Sequence, residues 1–164
     1  MHQKTRLAVT VAGTFLFAGK IPGPGGTIGS LATYGPALIV VYAGVPSAWF
    51  TAGCAVLLCA ASVLSVYVGR HAEEVFGEPD PNCVVIDEVA GAALSLLFFP
   101  FIAAYRWQGM LALFFLFRFF DIFKPLGIRR LEAVPRGLGI VLDDLGAGLA
   151  AWVLIQAGRF LVPG

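Results

Sequence analysis

Five apolar runs, at residues 31–45, 48–69, 89–105, 109–120 and 145–162, make up about half of this chain and leave few charges between them. Only 13% of the 164 residues are charged, where a soluble domain has about one quarter. Mean hydropathy is +0.86. These values point to an integral membrane protein forming one domain over residues 1–164. Runs 48–69 and 145–162 approach the roughly 20 residues that a bilayer core requires. The other three are shorter and must tilt, thin the bilayer locally or fail to cross. Turn-forming breaks separate them at Gly44-Val45-Pro46, Gly77-Glu78-Pro79-Asp80-Pro81, Arg106-Trp107-Gln108-Gly109 and residues 134–139. There is no internal repeat. The net charge of +1 leaves no case for nucleic-acid binding. Residues 1–6 are basic and 7–19 apolar, the layout of a signal peptide. The stretch Pro22-Gly23-Pro24-Gly25-Gly26 stands where a small-residue cleavage site belongs, so a retained amphipathic or re-entrant segment is expected.

Against this background the ten acidic residues are informative. A charge at mid-bilayer costs on the order of 3 kcal/mol even on the mildest scale. All ten lie between the apolar runs or at their edges. Five of them fall in three boundary motifs: Ile86-Asp87-Glu88, Phe117-Arg118-Phe119-Phe120-Asp121-Ile122-Phe123-Lys124-Pro125 and Leu142-Asp143-Asp144. Let each run cross once, with the Gly/Pro loop at 20–30 in the cytosol. Lys4, Arg6, Lys20, Arg70, Lys124, Arg129, Arg130 and Arg136 are then cytosolic, Arg106 and Arg159 outside, and Arg118 in the membrane near the cytosolic side. This agrees with the positive-inside rule. The same threading brings Asp87, Glu88, Asp121, Asp143 and Asp144 to one membrane face. A variant in which residues 89–120 dip in and return without crossing does the same.

Asp87-Glu88 and Asp143-Asp144 each precede an apolar run, where one acid can cap a helix and favour its dipole. Two adjacent acids at each of two helix starts exceed what capping needs. Asp121 is expected near the C-terminal end of its helix, where the dipole disfavours it. It lies three residues from both Arg118 and Lys124, so a structural ion pair is the competing reading. Grouped carboxylates suit Mg²⁺, which takes oxygen ligands and is often held by one or two carboxylates together with substrate phosphate. Arg118, Lys124 and Arg129 are candidates for the phosphate oxygens, although Arg129-Arg130 also suits a membrane-surface anchor. The loop Gly19–Ser30, with Thr27, offers free N–H groups at a helix start, an anion site or a plain capped turn. It is not a P-loop. His71 stands beside Glu73 and Glu74, with no partner set for catalysis. Cys54, Cys59 and Cys83 show no metal-ligand spacing.

In order, Gly26-Thr27-Ile28-Gly29-Ser30-Leu31, Ile86-Asp87-Glu88-Val89-Ala90-Gly91, the Phe117–Pro125 motif with Ile128-Arg129, and Gly137-Leu138-Gly139-Ile140-Val141-Leu142-Asp143-Asp144-Leu145 with Ala147-Gly148 resemble the phosphatidylglycerophosphatase A family. The resemblance covers residues 19 to 150. This chain has Gly25-Gly26-Thr27 where the family has Pro-Gly-Thr. The resemblance implies an all-α integral membrane bundle with short, partly re-entrant helices. It implies a Mg²⁺-dependent phosphatase converting phosphatidylglycerophosphate to phosphatidylglycerol in bacterial phospholipid synthesis. The expected location is the bacterial inner membrane, with the site facing the cytosol. Asp87, Glu88, Asp121, Asp143 and Asp144 would be metal ligands and catalytic groups. Arg118, Lys124, Arg129 and Thr27 would hold the phosphate. The rival is a small membrane transporter or cation-coupled carrier using the same acids for ion binding. The missing repeat and the clustering at one face count against it. The sequence is silent on oligomeric state.

Overall fold

A short helix rich in small and β-branched residues organises the structure. In the computed structural model, which describes residues 2–78, 81–99, 106–125, 127–134 and 138–158, this helix is α5, Ile86–Ser95. Ile86, Asp87, Val89, Ala90, Gly91, Ala92, Ala93 and Ser95 are all buried. Six further helices surround it: α1 (Gln3–Gly13), α2 (Gly25–Tyr42), α3 (Ser47–Gly69), α4 (Ala72–Phe76), α6 (Arg106–Phe123) and α7 (Leu138–Gly158). Short 3₁₀ turns follow at Ala18–Lys20 and Ile128–Ala133. No strand occurs among the described residues. The all-α expectation holds.

α5 packs chiefly against α7 and α3, and on α2. Its crossing with α7 is set by two glycines. A Cβ on Gly148 would lie 2.2 Å from the carbonyl oxygen of Gly91, and a Cβ on Gly91 would lie 2.5 Å from that of Asp144. Only hydrogen at both positions lets the two backbones meet. One core cluster joins Tyr34, Phe50, Leu96, Met110, Leu113 and Phe117. A second joins Ala61, Ile86, Val89, Ala90 and Val141. Two polar groups in this core are matched: the Tyr34 and Ser95 hydroxyls are 2.6 Å apart. The indole N–H of Trp152 donates to the Leu97 carbonyl at 2.7 Å, where α5 ends.

Among the described residues, α3 and α7 are the two helices long and apolar enough to cross a membrane. They correspond to the two longest expected runs. On α3, Trp49 (74% exposed), Val56 (70%) and Val63 (70%) recur every seven residues. That apolar outer stripe suits lipid rather than water. The expected crossing by residues 89–105 is not carried by one helix. α5 has 10 residues, about 15 Å, half of a bilayer core. A turn follows, with Phe98 at φ 53°. Residues 100–105, Arg136-Gly137 and Arg159 lie outside the described residues.

Two helix starts differ from expectation. α2 begins at Gly25, six residues before the apolar run, so Thr27 and Ser30 are helical rather than in a loop. Hydroxyl bonds from Ser30 to Gly26 O (2.7 Å) and from Thr33 to Gly29 O (3.2 Å) satisfy polar groups along this turn. α7 begins at Leu138, so Asp143 and Asp144 are inside the helix and do not cap its start. Extension places Val141 in the second core cluster and keeps Asp144, Gly148 and Ala151 on the same buried face. The N-terminal segment forms α1, which packs on α3. The Gly13 carbonyl accepts from Val85 N at 2.8 Å, tying α1 to the residue before α5.

Candidate active site

The starts of α2, α5 and α7 and the end of α6 meet at one end of the bundle. The dipoles of the first three present their positive ends there, which favours carboxylates. A cavity of about 430 Å³ opens between them. Asp87 and Glu88 reach it from the first turn of α5, Asp121 from the last turn of α6, and Asp143 and Asp144 from the second turn of α7. Lys124 and Glu132 complete its charged lining. Among the described residues, six carboxylates thus face one ammonium in the lining. Packing that much like charge in a partly dry space is unfavourable unless a cation joins it.

The acids separate into two groups. Asp87, Glu88 and Asp144 can each offer one oxygen such that all three oxygens lie within 4.8 Å of one another. Glu88 Oε2 and Asp144 Oδ1 are buried with no hydrogen-bond donor. Buried acceptors are nearly always satisfied, so these two oxygens, on acids gathered with Asp87, fit a metal that takes oxygen ligands. The other three acids are engaged by cations. Arg118 Nη1 lies 2.5 Å from Asp121 Oδ2. Lys124 Nζ donates to both Asp143 and Glu132. Burial lowers the basicity of the Lys124 ammonium, but its bonds to Asp143 and Glu132 outweigh this and raise its pKa overall. Burial also raises the Glu88 carboxyl, which Asp121 reinforces against the opposing pull of Asp87 and Arg118.

Local backbone explains how these groups are aimed. α6 ends where Lys124 takes up φ 46°, a left-handed conformation, before Pro125. That reversal turns the Lys124 side chain back over the cavity. Gly26, at the start of α2, lies against the other side. A Cβ there would be 2.6 Å from Arg118 Nη1 and 2.8 Å from Glu88 Oε1. Both side chains therefore rest on bare backbone. Asn82 adds an amide to the lining from the turn before α5.

Asp87, Glu88, Asp121, Asp143, Asp144 and Lys124, singled out in the sequence, all line this cavity. Arg118 stands behind Asp121 rather than in the lining. Thr27 is half-buried beside Gly26, and Arg129 is exposed on the second 3₁₀ turn; neither lines the cavity. Glu132 and Asn82 went unrecognised. Glu132 is eight residues beyond Lys124, across a turn. No helical spacing connects them. His71 bonds the Tyr67 carbonyl at 2.8 Å and is not part of the lining.

The profile of the phosphatidylglycerophosphatase A family matches residues 11–159. A Bacteroides thetaiotaomicron protein named a putative phosphatidylinositol-3-phosphatase is 38% identical over 114 residues, covering 70% of this chain and 69% of that protein. The Haemophilus influenzae phosphatidylglycerophosphatase A is 37% identical, covering 68% of this chain and 63% of its own length. For the Escherichia coli phosphatidylglycerophosphatase A the identity is 33%, with 58% and 55% covered. No solved structure matches. The matched segment contains every acid of the cavity, and the chain belongs to the phosphatidylglycerophosphatase A family and is a phosphatase.

Proposed function

We propose that this protein hydrolyses phosphatidylglycerophosphate to phosphatidylglycerol and phosphate at the cytosolic face of a bacterial membrane, with Mg²⁺ as its cofactor. One observation carries the reading: oxygens of Asp87, Glu88 and Asp144 converge within 4.8 Å in a cavity that the ammonium of Lys124 also lines, at one end of an apolar bundle. A lipid phosphomonoester anchored in the bilayer presents its phosphate at that depth. The acids alone would repel it.

Asp87, Glu88 and Asp144 would hold the cation. The chemistry Mg²⁺ supplies when bound there is neutralisation of phosphoryl charge and acidification of water. Lys124 stays protonated at working pH and stabilises the equatorial phosphoryl oxygens as charge redistributes. Asp143 and Glu132 hold that ammonium over the cavity. Arg118 fixes the rotamer of Asp121, which can accept a proton from the attacking water. The basic residues on the flanking loops favour a cytosolic site.

The test is phosphate release from phosphatidylglycerophosphate by purified protein in mixed micelles. Turnover should need a divalent metal, vanish with EDTA and return with Mg²⁺. Full turnover in excess chelator would remove the metal from the proposal. The name of the Bacteroides relative supplies a second reading, a phosphoinositide substrate. Parallel assays with phosphatidylinositol-3-phosphate decide between the two by kcat/KM.

A further inference from the structure

An apolar groove of about 380 Å³ runs along α7 below the catalytic cavity. Phe120, Ile128, Gly146, Ala150, Val153 and Leu154 line it. Its position follows from helical spacing. Ile140 and Asp143 line the catalytic cavity on α7. Gly146, Ala150 and Val153 continue the same stripe at intervals of three and four residues. Polar cavity and apolar groove are thus successive stretches of one helix face. The other wall is formed by Phe120 of α6 and by Ile128, which begins the 3₁₀ turn that carries Glu132. The floor is fixed, because Phe120 and Ile128 are buried. The outer lip is open, because Leu149, Val153 and Leu154 are about half exposed. Gly146 keeps the junction clear. A Cβ there would meet Leu131 Cδ1 at 3.0 Å and press on the turn that closes the groove.

We propose that this groove seats one acyl chain of the phospholipid whose phosphate occupies the catalytic cavity; the inference rests on the lipid phosphatase reading above. A lipid phosphomonoester has a polar end and an apolar chain joined by a short glycerol link. On α7 the groove starts at Gly146, one helical turn beyond Asp143 of the cavity, and leads along the helix that is long and apolar enough to cross a membrane. A chain entering from the bilayer through the open lip would be guided to the reacting phosphate. Bulk lipid would also wet this surface, but it has no link to the cavity. The seat therefore acts on KM for long-chain substrate, not on chemistry.

The experiment uses full-length protein and two substrates with the same head group: one with two hexadecanoyl chains in mixed micelles, one with two butanoyl chains in water. Ala150→Phe fills the groove from its wall, and Leu149→Trp fills it from an exposed position that tolerates bulk. Each should raise KM for the long-chain substrate about tenfold, equivalent to roughly two methylenes denied burial. kcat/KM for the short-chain substrate should stay within about twofold of wild type. Equal loss on both substrates, or no change on either, would overturn the groove assignment. The wild type on the long-chain substrate tests the phosphatase reading separately: no phosphate release there defeats that reading whatever the variants do. A photoactivatable group at the chain terminus should crosslink to residues 149–154; crosslinks confined to the outer face of α3 would also overturn the proposal.

Discussion

Gly91→Ala tests whether the close α5–α7 crossing holds the carboxylates in register. The added methyl carbon would lie 2.5 Å from the Asp144 carbonyl oxygen and 2.7 Å from Phe117 Cε2, where ordinary contact begins at 3.4 Å. The oxygen is backbone inside a helix, so no side-chain rotation relieves it. α5 and α7 must part by about 0.9 Å, the difference between 2.5 and 3.4 Å. Asp87 and Glu88 lie one turn before Gly91, and Asp144 is the residue that is pushed. The displacement therefore falls on the oxygens that converge within 4.8 Å. Stability should change modestly. Overpacking costs about 1–3 kcal/mol, against which Ala returns up to about 1 kcal/mol of helix propensity. Activity should change much more, since a misplacement of about 1 Å in a catalytic constellation costs on the order of 10²-fold. The assay is phosphate release in mixed micelles, with thermal unfolding by circular dichroism on the same samples. Gly148→Ala, whose methyl would lie 2.2 Å from Gly91 O, should behave alike. Gly53→Ala on α3, with nothing within 4 Å of its added carbon, is the control and should retain full activity. If Gly91→Ala keeps wild-type kcat/KM, the glycine crossing does not set the site geometry.

Asp121→Asn should lower kcat by about 10²–10³-fold while the protein stays folded, because the amide oxygen can still accept from Arg118; a fully active variant would exclude Asp121 from the chemistry. Lys124→Gln should weaken inhibition by inorganic phosphate and lower kcat/KM by about 2–3 kcal/mol in transition-state terms. Unchanged phosphate inhibition would show that this ammonium only balances Asp143 and Glu132. Single cysteines at Asn82→Cys and Gly127→Cys, in a background without the native three, should be labelled from the cytosolic side alone by a membrane-impermeant thiol reagent. Labelling of either from outside would separate the motifs by a bilayer.

Local chemistry made much of this molecule readable. Runs 48–69 and 145–162 announce the membrane-competent helices α3 and α7 because length and hydropathy are properties of a segment by itself. The family membership was legible in the ordered motifs around Asp87, Asp121 and Asp143. So was the idea that the acids share one face, since charges avoid the middle of apolar runs. Tertiary packing decided the rest. Asp143 and Asp144 read as residues before a helix, yet α7 starts at Leu138 because burying Val141 extends it. The division of the acids was only partly visible in the chain: the spacing of Arg118 and Asp121 offered their ion pair, but nothing local showed that Asp87, Glu88 and Asp144 come together or that Lys124 goes to Asp143. That division depends on Gly91 and Gly148, whose value lies in atoms they lack at a contact between distant segments. Glu132 reaches Lys124 only through the turn between α6 and α7. Periodicity records which face of a helix is apolar. Which charged groups meet depends on how two such faces are brought together, and that is set by the shape of the residues between them.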